Sequence, residues 1–131
     1  DWEGPERVAL RERLFEQYAE FATDDWPWFE RYLTYCNAIF SQALLLDGHP
    51  EGVELGLRTL GWLFEHEISF GKLAPTGNEG WARPGFKAEF DQQPVEAMEL
   101  SMAAVRAYRI TRDPIWEQRQ RICLDWFHGG N

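Results

Sequence analysis

The stretch Cys36-Asn37-Ala38-Ile39-Phe40-Ser41-Gln42-Ala43-Leu44-Leu45-Leu46 decides the reading of this chain. Only Asn37, Ser41 and Gln42 interrupt its apolar run. It is too short to span a membrane and too apolar for a surface helix, so the pattern predicts a helix over 35–47 buried on most sides. Asp47-Gly48-His49-Pro50 ends it as a turn. A second stretch of the same kind begins near Gln93. Val95, Met98, Met102 and Val105 form one stripe there, and Ala97, Ser101, Ala104 and Tyr108 another. Apolar stripes on two sides again predict burial on two sides.

Between and around these lie amphipathic segments. Leu10, Leu14, Tyr18 and Phe21 recur at helical spacing over 5–23, with Pro5 in the first turn. Trp26-Pro27-Trp28 breaks that helix. Val53, Leu57, Leu60 and Phe64 mark a helix over 50–67, and Ile115, Ile122 and Trp126 another over 115–127, stopped by Gly129-Gly130. Residues 68–92 keep no period. Their glycines, prolines and aromatics (Phe70, Trp81, Phe86, Phe90) predict a long ordered loop without a convincing strand, and such loops are usually functional.

The expected fold is therefore all-α, with about five helices in a single helical domain over 1–131. Doubly buried helices alternate with amphipathic ones. Consecutive hairpins in an α/α toroid need that alternation, with inner helices lining a pocket and outer helices covering them. A plain helical bundle is the competing arrangement. Five helices make about two and a half hairpins, so the reading is an incomplete ring, a fragment of a larger toroid.

Composition narrows the partners. The 131 residues carry 13 Lys+Arg against 22 Asp+Glu, a net charge of −9, which disfavours a nucleic-acid phosphate backbone. No apolar run reaches membrane length. Asp1-Trp2-Glu3-Gly4 lacks the basic and apolar blocks of a leader, and Cys36 and Cys123 form no CxxC pair, so reduced thiols and a cytoplasmic setting are expected. Glu65-His66-Glu67 begins like a zinc-protease motif, but Phe70 stands where the second histidine would be. No metal set, phosphate-binding glycine loop or nucleophile elbow is present in the sequence. No cofactor is expected.

In a toroid the inner helices start at one rim. Tyr35-Cys36-Asn37, the 68–92 loop and Asp91-Gln92-Gln93-Pro94 then converge there. Asp91, Gln92 and Glu96 have a structural role open to them at the helix start, as caps and dipole partners. They also suit sugar hydroxyls, with Trp81, Trp62 or Trp28 as an aromatic platform. Asp91 and Glu79 are the candidate catalytic carboxylates for glycosidic chemistry. Tyr35, Asn37, Trp81, Gln92 and Gln93 are the candidate substrate-binding residues.

Four runs carry a resemblance: Thr34-Tyr35-Cys36-Asn37-Ala38, Gly77-Asn78-Glu79-Gly80-Trp81, Phe90-Asp91-Gln92-Gln93-Pro94-Val95-Glu96-Ala97 and Trp126-Phe127-His128-Gly129. In this order they resemble the helical α/α-toroid domain of bacterial proteins classed as glycosyltransferases, similar in architecture to six-hairpin glycosidases. The resemblance covers about residues 26–131 and is most specific in the Asp-Gln-Gln-Pro run. It implies a carbohydrate partner and carbohydrate metabolism in the parent protein, a glycosyltransferase or a glycosidase-like enzyme. Two departures stand out. Cys36 occupies a position where the family usually has Asp, and the chain has about half the helices of a full toroid without the nucleotide-sugar domain. The fragment alone is expected to be inactive. The alternative function is a non-catalytic interaction module that completes a ring by homodimerisation or against the rest of its parent chain.

Overall fold

In the computed structural model, residues 4–131 are described, and the first three residues of the leader reading fall outside them. Five helices dominate: α1 (Pro5–Phe21), α2 (Ile39–Asp47), α3 (Pro50–Glu67), α4 (Pro94–Thr111) and α5 (Pro114–Phe127). The fold is mainly α, and no described helix is long and apolar enough to cross a membrane. Four of the helices open on proline at the first turn, where the missing N–H costs nothing. Asp113 adds a side-chain cap to α5 by accepting from the Ile115 N–H at 2.9 Å.

The helices pack as hairpins, α2 along α3 and α4 along α5, and α2 also meets α4. Small residues set these approaches. Gly56 of α3 lies against α2 so closely that a Cβ there would stand 3.0 Å from the Ser41 carbonyl oxygen. The Ser41 and Thr59 hydroxyls bond across that contact at 2.7 Å, both buried. On α4 the buried residues are Glu96, Ala97, Leu100, Ala103, Ala104 and Ala107, a face rich in alanine on a helix that packs along α5. The core continues through Trp28, Phe29, Leu33, Leu60 and Phe64, all fully buried. α1 is fastened to α2 through Asp47, which accepts from Arg7 at 2.6 Å and Arg11 at 2.9 Å.

Several expectations need correction. The 68–92 loop does contain strands, as two antiparallel hairpins: β1 (Ile68–Ser69) with β2 (Lys72–Leu73), and β3 (Ala82–Arg83) with β4 (Phe86–Lys87). Ladders two residues long are too short to leave an alternation in sequence. Their turns were the available signal. Phe70 and Gly71 both have positive φ, and Pro84-Gly85 places a positive-φ glycine after proline. The second helix begins at Ile39, four residues later than expected from position 35, because Cys36 sits at φ 54° in a turn.

The double burial of α2 and α4 is not seen. α2 exposes Ile39 and Leu46, and α4 exposes Met98 and Met102, each about half accessible. One stripe of each helix is covered, and the other faces outward.

Candidate functional site

The long loop folds back on itself through its backbone. The Gly77 N–H donates to the Ala88 carbonyl at 2.8 Å, Asn78 to Asp91 at 3.1 Å and Glu79 to Phe90 at 2.9 Å. Gly77 is indispensable there, since a Cβ would stand 2.0 Å from the Phe90 carbonyl oxygen. Leu33 and Ala82 exchange backbone bonds of 2.9 and 3.1 Å, which sews the 33–37 segment to β3. The three segments expected to meet at one rim do meet.

Their side chains fall into two groups. Tyr35, Glu79 and Asp91 are exposed, and Trp81 is half-buried. The Tyr35 and Trp81 rings lie 6.3 Å apart at 34°, with Trp81 at φ 59° and Tyr35 mostly exposed. Glu79 and Asp91 are exposed, and neither has an ion-pair partner among the described residues. Gln93 Nε2 donates to Asp91 Oδ2 at 2.9 Å and holds that carboxylate in place. Asp91 therefore does not cap α4, and Gln93 at the N-cap position makes no side-chain cap bond either. Gln92 points elsewhere and accepts from the Trp126 indole N–H at 3.1 Å, tying the rim to α5. Trp28 is fully buried and offers no platform.

Asn37 belongs to the second group. It is 2% exposed, and its amide is committed: Oδ1 accepts from the Thr34 N–H at 2.9 Å, and Nδ2 donates to the Thr34 carbonyl and to Glu96 Oε2, both at 3.0 Å. Glu96 also accepts from the backbone N–H groups of Cys36 and Asn37. A residue expected to favour the start of its own helix instead holds the turn before α2. Burial raises the Glu96 carboxyl above the ordinary carboxylate range, the Cys36 and Asn37 donors pull it partway back, and the charge of Glu67 adds to the rise. Burial, then the charges of Glu96 and Glu99, push the Cys36 thiol up. Cys123, on the buried face of α5, is pushed up to about 12 by desolvation, and both thiols are free.

A second buried carboxylate went unnoticed in the sequence. Glu67, at the end of α3, is 1% exposed and accepts from the Thr76 N–H, from the Thr76 hydroxyl at 2.7 Å and from His66 Nδ1 at 2.8 Å. Lys87 Nζ stands 3.5 Å away and donates to the His66 carbonyl at 2.8 Å. Desolvation lowers the Lys87 ammonium, and Glu67 offsets part of that. A glutamate in the last turn reads as solvated, so only the odd pairing of charges in Glu65-His66-Glu67 hinted at it. Glu96 falls on the buried face with Leu100 and Ala103, which is neither of the two stripes the sequence pattern marks on this helix. No group of three or more potential metal ligands occurs among the described residues.

No family model, curated protein or solved structure matches this chain.

Proposed function

We propose that this chain is a carbohydrate-binding helical domain of a glycoside-processing protein, its hairpins forming an arc of an α/α toroid. The binding rim is the Tyr35–Trp81 pair with the Glu79 and Asp91 carboxylates. The observation that carries this reading is the backbone sewing of 33–37, 77–82 and 88–91, which sets an aromatic face beside two carboxylates with no cationic partner. A pyranose presents an apolar face to an aromatic ring and hydroxyls to acceptors around it. On this reading Glu79 and Asp91 would take or give a proton at a glycosidic oxygen, and Gln92 and Gln93 brace the segment that carries Asp91. Asn37 supports the rim from below through Glu96. Free thiols fit a reducing, cytoplasmic setting. The chain by itself is expected to release no sugar, and turnover by the purified chain would overturn that.

Isothermal titration against a panel of neutral mono- and oligosaccharides tests the reading. At least one ligand should bind, and Trp81→Ala should weaken it about tenfold, the scale of one lost aromatic contact. Absence of heat across the panel, with the full-length parent protein as well, would sink the proposal.

The second reading, an interaction module that completes a ring with another copy, is favoured by one feature. Ile39, Leu46, Met98 and Met102 leave apolar surface open on α2 and α4, the two helices that meet. Sedimentation separates the readings: a dilute monomer removes the homodimer.

A further inference from the structure

We infer that a second ligand site lies behind the β3–β4 hairpin, in a cleft of about 520 Å³ between its tip, the Asp25-Trp26 turn that follows α1 and the last turns of α3, and that it takes a saccharide bearing an anionic group. It borrows the carbohydrate reading for the ring of its ligand, but none of its residues belong to the rim.

The walls are aromatic. Trp62 and His66, one helical turn apart on α3, stack at 5.3 Å and 36°, and Trp26 meets both edge-on at 4.9 and 5.5 Å. Phe86 closes the opposite side and is 43% exposed. Trp26 is buried with its indole N–H spent on the Glu30 carbonyl, so it buttresses the wall. Trp62 is half-buried and lines the cleft with the part of its ring that His66 and Trp28, tilted against it at 5.3 and 5.5 Å, do not cover. A flat ring wall around a cleft of this size suits a pyranose face.

The polar groups of the cleft are mostly nitrogen. His66, Arg83 and Lys87 line it, against the single exposed carboxylate of Asp25. Glu67 is near but does not face a ligand, being 1% exposed with its oxygens taken by Thr76 and His66. On the far side of Arg83 stand Glu20 and Arg31. The Arg83 guanidinium rests over the Phe86 ring at 4.6 Å and has no carboxylate within ion-pair distance among the described residues. In a chain of net charge −9, Arg83 is a guanidinium without a carboxylate partner among the described residues, and it lines the cleft together with Lys87, whose ammonium is paired with Glu67. A stacked guanidinium offers a planar fork that matches carboxylate or phosphate oxygens. His66 is held by Glu67 through Nδ1, which fixes its ring against Trp62 and leaves Nε2 for the ligand.

Titration calorimetry on the intact chain tests this with four probes: glucuronate, glucose 6-phosphate, glucose and inorganic phosphate. The expected result is binding of one or both anionic sugars at least tenfold tighter than glucose, weakening as salt is raised. Which of the two binds separates a carboxylate ligand from a phosphate ligand. Arg83→Ala should cost about tenfold, and Arg83→Gln, which keeps donors and drops the charge, nearly as much. Because Arg83 is exposed, both variants should fold, and unchanged thermal midpoints verify it. Trp81→Ala should leave this binding intact. Equal affinity for glucose and the anionic sugars would overturn the charge argument while sparing the carbohydrate reading. Inorganic phosphate binding as tightly as glucose 6-phosphate would overturn the ring argument. Insensitivity to Arg83→Ala, or no binding of either anionic sugar, would remove the site.

Discussion

Two glutamates are buried among the described residues, and they are held in opposite ways. Glu67 closes the end of α3 and meets a cation, Lys87, as well as the neutral donors of Thr76. Glu96 stands at the start of α4 and meets only neutral donors, the N–H groups of Cys36 and Asn37 and the Asn37 amide. Each fixes a segment with little regular structure: Glu67 the strand-poor loop at Thr76, Glu96 the turn before α2. The difference lies in what each would leave behind. Removing the Glu67 charge strands a desolvated ammonium. Removing the Glu96 charge strands nothing charged and relieves a carboxylate that burial already disfavours. The first is a pair whose members need each other. The second is a polar clasp in which charge is a cost, offset by geometry.

The sharpest test of that contrast is Glu67→Gln. It should destabilise the domain by about 3 kcal/mol, the range seen when one partner of a buried pair is lost. The double variant with Lys87→Met should recover a good part of the loss, since the orphaned charge is gone. Denaturant titration of the two variants measures both. If the single change costs no more than the double, Lys87 is not held by Glu67, and the distinction between the two glutamates collapses.

Asn37→Ala strikes the other clasp and should cost about 2 kcal/mol. It deletes two bonds to Thr34 and one to Glu96 at a position 2% exposed, leaving Glu96 with fewer donors than its burial requires. Thermal unfolding checks it. A loss well under 1 kcal/mol would mean that water replaces the amide and that the clasp is looser than its distances imply.

The two clasps also mark where sequence reading stops. The helices were legible because stripes such as Leu10, Leu14 and Tyr18 repeat at helical spacing and prolines sit in the first turns. The gathering of 33–37, 77–82 and 88–91 was legible only through an assumed ring, yet the backbone bonds show it. The outward stripes of α2 and α4 were misread, because hydrophobic residues announce a wish for burial and not whether a neighbour exists to grant it. The two hairpins lay below the length at which alternation can speak. Of the candidate residues, Tyr35, Glu79 and Asp91 are exposed and Trp81 is half-buried, while Asn37 is consumed by structure. Sequence named its chemistry and could not say that Thr34 and Glu96 had already claimed it. Glu67 escaped notice altogether, since its burial depends on Thr76 and Lys87 from a segment without a period.

The smallest expected effect separates the glutamates most cleanly, because it is one of sign. The Glu96 carboxyl is raised in the folded chain, chiefly by burial. A raised carboxyl binds its proton more tightly folded than unfolded. Its contribution to stability is therefore complete below the unfolded value, about 4.3 for a glutamate, and is lost as pH rises through the higher folded value. Glu96→Gln removes this dependence. The stability difference between the variant and the native chain should drift in the variant's favour as pH rises from about 4, near the unfolded value, through the higher folded value. The Gln side chain keeps one acceptor oxygen for the donors of Cys36 and Asn37, so the variant should still fold at both ends of the range. Parallel denaturant titrations across the range read the drift directly. A drift in the opposite direction would mean that the donors outweigh desolvation and that Glu96 is stabilised as an anion. The contrast between a charge that needs its cation and a charge merely tolerated by its clasp would then disappear.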